Sequence, residues 1–402
     1  MQQLQPRLGR KWTLLFLVII SAFPPLTTDL YLPALPHMVE TLNTSQTLIN
    51  LTLSGYFGVY ATGLLFWGPL SEKFGRKPIM LVGIGLYILA SLACAASYSV
   101  EMLIGSRVLQ AFGGSAVTVV ATAIVKDMYQ GREREKIMAT IMSLVIIAPM
   151  IAPVLGAFLL TIGNWHWMFI ALALFGALCV PFALAYRETL TEKYTGSVFR
   201  AWGRLWVVTQ NRAFLQLLLI FSLPALAMMA FLAAGSYVYI NGFGLTEQVF
   251  SYFFAFNAFC ASFAPRVYLK VTRYISIPTM ISCSFLGLTL SGVAMTCLGA
   301  SSPYVFALLA ATATMSVISL RVPGTNLMLE QQSKDTGSAV AVIQFSTMMC
   351  GALGMSLVSL NPETMLQNLA YIQLAIGLVG SVLWWRVKHR PFVVDKLPQV
   401  EP

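Results

Sequence analysis

About twelve stretches of roughly 20 mostly apolar residues divide this chain, with limits near 12–34, 48–68, 78–98, 101–124, 136–161, 165–187, 213–240, 247–268, 274–298, 303–325, 336–360 and 364–386. A helix of that length spans the hydrocarbon of a bilayer with its backbone hydrogen bonds satisfied internally. The pattern therefore restricts the chain to an all-α integral membrane protein. Charge is scarce to match: 10% of 402 residues are charged and 57% are hydrophobic, too little charge to cover a water-soluble surface of this size. A net charge of +10 would suit nucleic acid only if the basic residues shared one face. They recur instead in short bursts between apolar stretches, so the expected partner is a lipid bilayer and not nucleic acid.

The bursts set an orientation, because cytoplasmic loops collect Lys and Arg. With the N-terminus inside (Arg7, Arg10, Lys11), the inner segments hold Lys73, Arg76 and Lys77; Lys126, Arg132, Arg134 and Lys136; and Arg187, Lys193, Arg200, Arg204 and Arg212. Arg266, Lys270 and Arg273 follow, then Lys334 with Arg321 at a helix end, then Arg386, Lys388, Arg390 and Lys396. The outer loops contain no Lys or Arg. Both termini are expected in the cytoplasm. The polar connection 188–212 divides the spans six and six, giving an N-terminal bundle (1–187), a linker, a C-terminal bundle (213–390) and a tail (391–402). Two bundles joined by a linker are typical of transporters built from repeats.

Six cysteines lie inside apolar runs with no CxxC spacing, and His37, His166 and His389 fall near segment ends. Buried inert thiols, with no metal site and no cofactor, are the expectation. A membrane-embedded enzyme would need paired acids, a His cluster or a serine with a base at one depth, and none is apparent. A channel would need rings of charge or a filter sequence, and neither is present.

Two charges fall inside spans. Asp29 lies about 17 residues along the first span, ~25 Å from its start. Arg107 lies about six residues into the fourth, at a similar depth. Such charges are expensive in hydrocarbon unless paired or facing a wet cavity, which marks them as functional candidates. An Asp–Arg pair that merely holds two helices together is the structural alternative. Gln110 stands one turn from Arg107.

The stretch "GPLSEKFGRKP" (68–78) is a tight turn between the second and third spans. Glu72 can pair with Arg76 or sit at a helix N-terminus, Gly75 permits a left-handed turn, and Pro78 suits a helix start. Its Gly68, Glu72, Lys73, Gly75, Arg76 and Lys77 resemble the loop signature of the major facilitator superfamily, with Glu and Lys in the usual Asp and Arg places. "RVLQAFGG" resembles that family's Arg-x-x-Gln-Gly motif through Arg107 and Gln110, with Ala111 for Gly. "APMIAPVLGA" keeps the antiporter-motif spacing as Ala148, Ala152, Pro153, Gly156 and Ala157, a small-residue seam suited to close helix packing. "DLYLPALP" (29–36), "WHWMF" (165–169) and "ETL" (188–190) resemble the bicyclomycin and chloramphenicol resistance (Bcr/CflA) branch of drug:proton antiporters.

The resemblance implies a twelve-span, two-bundle exporter of small lipophilic compounds in a bacterial inner membrane, driven by the proton gradient and acting as a monomer. In such a protein Asp29 would carry the proton or cation, with Arg107 and Gln110 tuning it. Gly68, Glu72, Gly75 and Arg76 would latch the bundles, the acid lying near the eleventh span, where "KDTGSAV" (334–340) opens a helix. Candidate substrate-lining residues are Tyr56, Tyr60, Met228, Phe231, Phe256 and Asn257. A proton-coupled uptake symporter, or an exporter of one metabolite, is the alternative on the same fold. Arg321 matches nothing in the family pattern.

Overall fold

The computed structural model describes residues 5, 8–129, 133, 136–138, 140–141, 145, 147–190, 196, 198–332 and 336–394. The described residues contain helices and turns and no strand. They fall into two compact units, 1–202 and 203–402. Nine helices among them are long and apolar enough to cross a membrane, or ten if Gly9–Ser21 and Phe23–Thr41, bent by 40°, count as one span.

In the first unit, α1 (Gly9–Ser21) is followed by α2 (Phe23–Asp29) and, after a 3-10 turn at Leu32–Ala34, by α3 (Leu35–Thr41). The sequence predicts one continuous span here. Pro24, Pro25, Pro33 and Pro36 break it, because each lacks the N–H that a continuous helix needs. The long helices α4 (Gln46–Phe74), α5 (Arg76–Ala95) and α6 (Val100–Met128) pack together, and α5 also packs on α8 (His166–Ala185). The fifth stretch is seen as α7 (Ala148–Ile162); positions 139, 142–144 and 146 of the expected span lie outside the described residues.

The connection expected at 188–212 is not uniformly polar. It carries α9 (Val198–Thr209), an amphipathic helix with Trp206 exposed. In the second unit α10 (Arg212–Ser222) and α11 (Pro224–Tyr237) form one span interrupted before Pro224. There follow α12 (Glu247–Val271), α13 (Ile277–Leu298), α14 (Pro303–Glu330), α15 (Thr336–Val358), α16 (Met365–Val387) and a final turn, Pro391–Val394. Beyond the nine or ten, α7 has 15 residues, and α12 is long but less apolar, carrying Ser251, Asn257, Ser262, Arg266 and Lys270.

Short polar side chains start these helices: Ser45, Ser99, Asn211, Thr246, Ser276 and Ser302 each accept from a backbone N–H of the first turn that has no partner within the helix. Their outward faces are apolar; Leu89 and Leu178 are each 68% exposed. In water such surfaces would aggregate, whereas in lipid they are solvated. The described thiols are all free, Cys94 and Cys179 being buried.

Candidate functional site

The polar centre of the first unit is built around Arg107, which is fully buried with Gln110 on the inner face of α6. Gln110 lies one turn further along, so its Oε1 accepts from Arg107 Nη1 at 2.6 Å. Its Nε2 donates to Ser91 Oγ of α5 at 2.7 Å. Ser91 Oγ in turn donates to the Tyr87 carbonyl. Arg107 Nη1 also donates, at 3.2 Å, to the carbonyl of Thr27 in the last turn of α2. Carbonyls at a helix C-terminus lack intrahelical donors and carry partial negative charge, so a guanidinium placed there caps the broken helix.

No carboxylate pairs with Arg107 among the described residues. Aromatic faces surround it instead: the guanidinium carbon lies 4.4 Å from the Tyr56 ring centre, 4.5 Å from Tyr31 and 5.8 Å from Phe169. The ring quadrupoles stabilise the cation where water is excluded. Nε and Nη2 of Arg107 are buried without hydrogen-bond partners, leaving two donor nitrogens uncommitted.

Asp29 is 5% exposed, and its Oδ1 accepts from Thr28 Oγ1 at 2.9 Å. The structure does not bring it into an ion pair with Arg107. Thr27 and Asp29 are two residues apart on a helix, about 200° around its axis, so α2 turns Thr27 toward α6 and Asp29 elsewhere. Thr27 Oγ1 meets Tyr87 OH at 2.7 Å on that same side.

The small-residue seam of α7 runs past this break. Ala148, Ala152, Pro153, Gly156 and Ala157 are all buried. A Cβ at Gly156 would stand 1.8 Å from the carbonyl oxygen of Leu30, the residue after Asp29. Only glycine permits α7 to approach that backbone so closely.

At the 68–78 turn, Gly75 takes the left-handed conformation expected of it, whereas the side chain of Arg76 reaches Asp127 and Ser71 and not Glu72. Arg76 is buried, with Nε 2.9 Å from Asp127 Oδ2 of α6 and Nη1 donating to Ser71 Oγ at 2.7 Å. Glu72 is exposed and pairs with neither Arg76 nor a helix N-terminus. The capping role falls to Glu188: its Oε2 accepts from Lys77 N at 3.0 Å in the first turn of α5, while its Oε1 accepts from the N–H groups of Thr189 and Leu190. Gly75 has φ +110°, and a Cβ there would meet Glu188 Oε2 at 2.6 Å. Gly68 supplies the carbonyl that accepts from Ser71 Oγ. The expected contact partner at 334–335 lies outside the described residues.

The aromatic candidates divide. Tyr56 belongs to the Arg107 cage, and Tyr60 stacks on it at 5.7 Å while its OH donates to Thr118 Oγ1. Phe231 is packed among Phe254 and Phe306. Met228 is half-buried, Phe256 is exposed and Asn257 is buried with Nδ2 unpartnered. Sequence reasoning did not find Tyr31, Phe169, Thr27, Ser91 or Asp127. Tyr31 and Phe169 lay inside the quoted stretches 29–36 and 165–169, and Asp127 offered a signal as an acid at the end of a span otherwise closed by basic residues. No group of three or more His, Cys, Asp or Glu among the described residues could hold a metal ion.

A helical membrane protein with a buried guanidinium, unpaired with acid among the described residues, against a broken first span suits the class of membrane transporters. The Major Facilitator Superfamily model matches residues 15–355, and the chain belongs to that family of transporters. It is 28% identical over 381 residues to an uncharacterised MFS-type transporter of Bacillus subtilis, covering 91% of this chain and 93% of the relative. It is 29% identical to a bicyclomycin resistance protein homologue of Haemophilus influenzae (71% and 73% covered) and 30% identical to a chloramphenicol resistance protein of Pseudomonas aeruginosa (67% and 64%). In fold it is similar to a bacterial homologue of the lysosomal transporter Spinster, with a TM-score of 0.74 at 14% identity, covering 98% of this chain and 99% of that one.

Proposed function

We propose that this protein is a proton-coupled antiporter that exports small lipophilic compounds by alternating access, with twelve spans and both termini in the cytoplasm of a bacterial inner membrane. The observation that carries the coupling is Asp29: a buried acid whose one hydrogen bond comes from the neighbouring Thr28 hydroxyl, at a break in the first span and beside the glycine seam of α7. A carboxylate so placed can be neutral in one state and charged in another as its surroundings change. Arg107 is a potential partner for it in another state, because it already grips the Thr27 carbonyl two residues before Asp29 and its Nε and Nη2 are uncommitted. Relatives named for bicyclomycin and chloramphenicol resistance support export and an apolar substrate class.

In this reading the energy source is the proton gradient, worth ~2.3 kcal/mol per charge at 100 mV, and the working unit is a monomer without cofactor. The test is substrate accumulation in everted vesicles under an imposed proton gradient. Asp29→Asn abolishes gradient-driven accumulation while leaving passive exchange of substrate in de-energised vesicles. A variant that accumulates substrate like the wild type removes Asp29 from the mechanism.

A further inference from the structure

Arg321 is a cation with no counterion among the described residues. It sits in α14 nine residues before Glu330, ~14 Å from the end of that helix. The described acidic residues of the second unit, Glu247, Glu330 and Glu363, fall at a helix end or in a turn. Among the described residues Arg321 makes no ion pair, no side-chain hydrogen bond and no cation–π contact. A guanidinium left so at membrane depth is costly unless it faces water or a ligand.

The helix geometry favours a cavity over lipid. Arg321 lies half a turn away from Thr312, which is exposed, and continues the stripe of Ala310, Thr314 and Val317, which are buried. Its own side chain is exposed. Exposure on a packed stripe marks a gap in the packing.

A second polar group stands at the same level. Asn211 Nδ2 donates to the Gln331 carbonyl at 2.8 Å, and a Cβ at Gly324 would meet the Phe221 ring at 2.5 Å. These two contacts fix α10 and α14 as antiparallel neighbours. Gly324 is one turn from Arg321, and Phe221 precedes Ser222, the last residue of α10. Ser222 Oγ is buried with no hydrogen-bond partner. A buried hydroxyl left unsatisfied costs about as much as a lost hydrogen bond, so it too calls for an occupant.

We propose that Arg321 and Ser222 form a recognition point for a carboxylate on the transported molecule, so that the substrates include anionic or zwitterionic compounds. The guanidinium fork matches the two oxygens of a carboxylate, and the hydroxyl adds a third donor. This assignment rests on the transporter reading and names a substrate class for it.

Binding to purified full-length protein in detergent tests the assignment without any proton gradient, so its failure is distinct from failure of the coupling mechanism. The probes share one apolar fluorophore: dansylglycine carries a carboxylate and dansylamide is neutral. Wild type binds the anionic probe about tenfold more tightly than the neutral one. Arg321→Gln erases that preference and leaves dansylamide affinity within about twofold of wild type; Arg321→Lys, which keeps the charge without the fork, restores part of it. Ser222→Ala weakens dansylglycine alone. Equal binding of the two probes by wild type, binding of neither, or loss of both probes together in Arg321→Gln and Arg321→Lys overturns the assignment.

Discussion

Replacing Gly156 by Ala perturbs the seam between α7 and the first span with a single methyl group. The added Cβ would stand 1.8 Å from the Leu30 carbonyl oxygen. Contacts of that kind essentially never fall below about 3.0 Å, and the obstacle is backbone, so α7 and the Asp29–Leu30 segment must part by about 1 Å or more. Overpacking of this kind costs about 1–3 kcal/mol, against which the better helix propensity of Ala returns at most about 1. At roughly 2–4 °C per kcal/mol for a unit of this size, thermal unfolding in detergent, followed by tryptophan fluorescence, falls by several degrees. Export falls further than stability does, by about tenfold or more, because the displaced segment carries Asp29. Gly105→Ala is the control, since a Cβ there meets nothing within 4 Å. If Gly156→Ala unfolds at the control's temperature and exports at its rate, the close-approach argument is wrong.

Removing Gln110 strands the guanidinium: Gln110→Leu deletes the acceptor of a charge-assisted bond and the donor to Ser91, and lowers stability by about 3 kcal/mol, read by the same thermal assay. Asp127→Asn leaves Arg76 without its charge partner at a site where the two side chains are 7% and 17% exposed; a loss of about 2 kcal/mol is expected, with Arg76→Lys failing to hold Asp127 and Ser71 together. Glu188→Ala strips the α5 N-terminus of its cap and costs about 1–2 kcal/mol, whereas Glu72→Ala is neutral within about 0.5 kcal/mol.

Charge burial made part of the site legible in advance. Asp29 and Arg107 stand out because acids and bases are rare within spans, and Gln110 follows from its spacing to Arg107. That Asp29 would not pair with Arg107 was not legible, because it depends on the rotation of about 200° between Thr27 and Asp29 on a helix that prolines cut short. The oxygen that holds Arg107 belongs to the main chain of Thr27, and a carbonyl has no letter in the sequence. Glu188 was visible as part of "ETL", yet its capping of a helix 111 positions earlier is a tertiary fact. Glu72 reads as a partner of Arg76 or of a helix N-terminus, and residue type alone does not say which of several nearby carboxylates reaches a helix end. Tyr56 and Tyr60 read equally well as substrate lining or as core, since aromatic residues in a span carry no mark of the direction they face.

The grip of Arg107 on α2 passes through a peptide oxygen. Any residue at position 27 would present the same acceptor, so point mutation there cannot erase the link, although it can disturb the hydroxyl contact to Tyr87. What would erase it is a change of length: one residue inserted or removed between Pro25 and Asp29 would rotate a different carbonyl into reach and carry the acid about 100° around with it. The distance between the proline pair and the acid, counted in residues, is thus a ruler for the carbonyl link, kept separately from the hydroxyls of Thr27 and Thr28 that serve Tyr87 and Asp29.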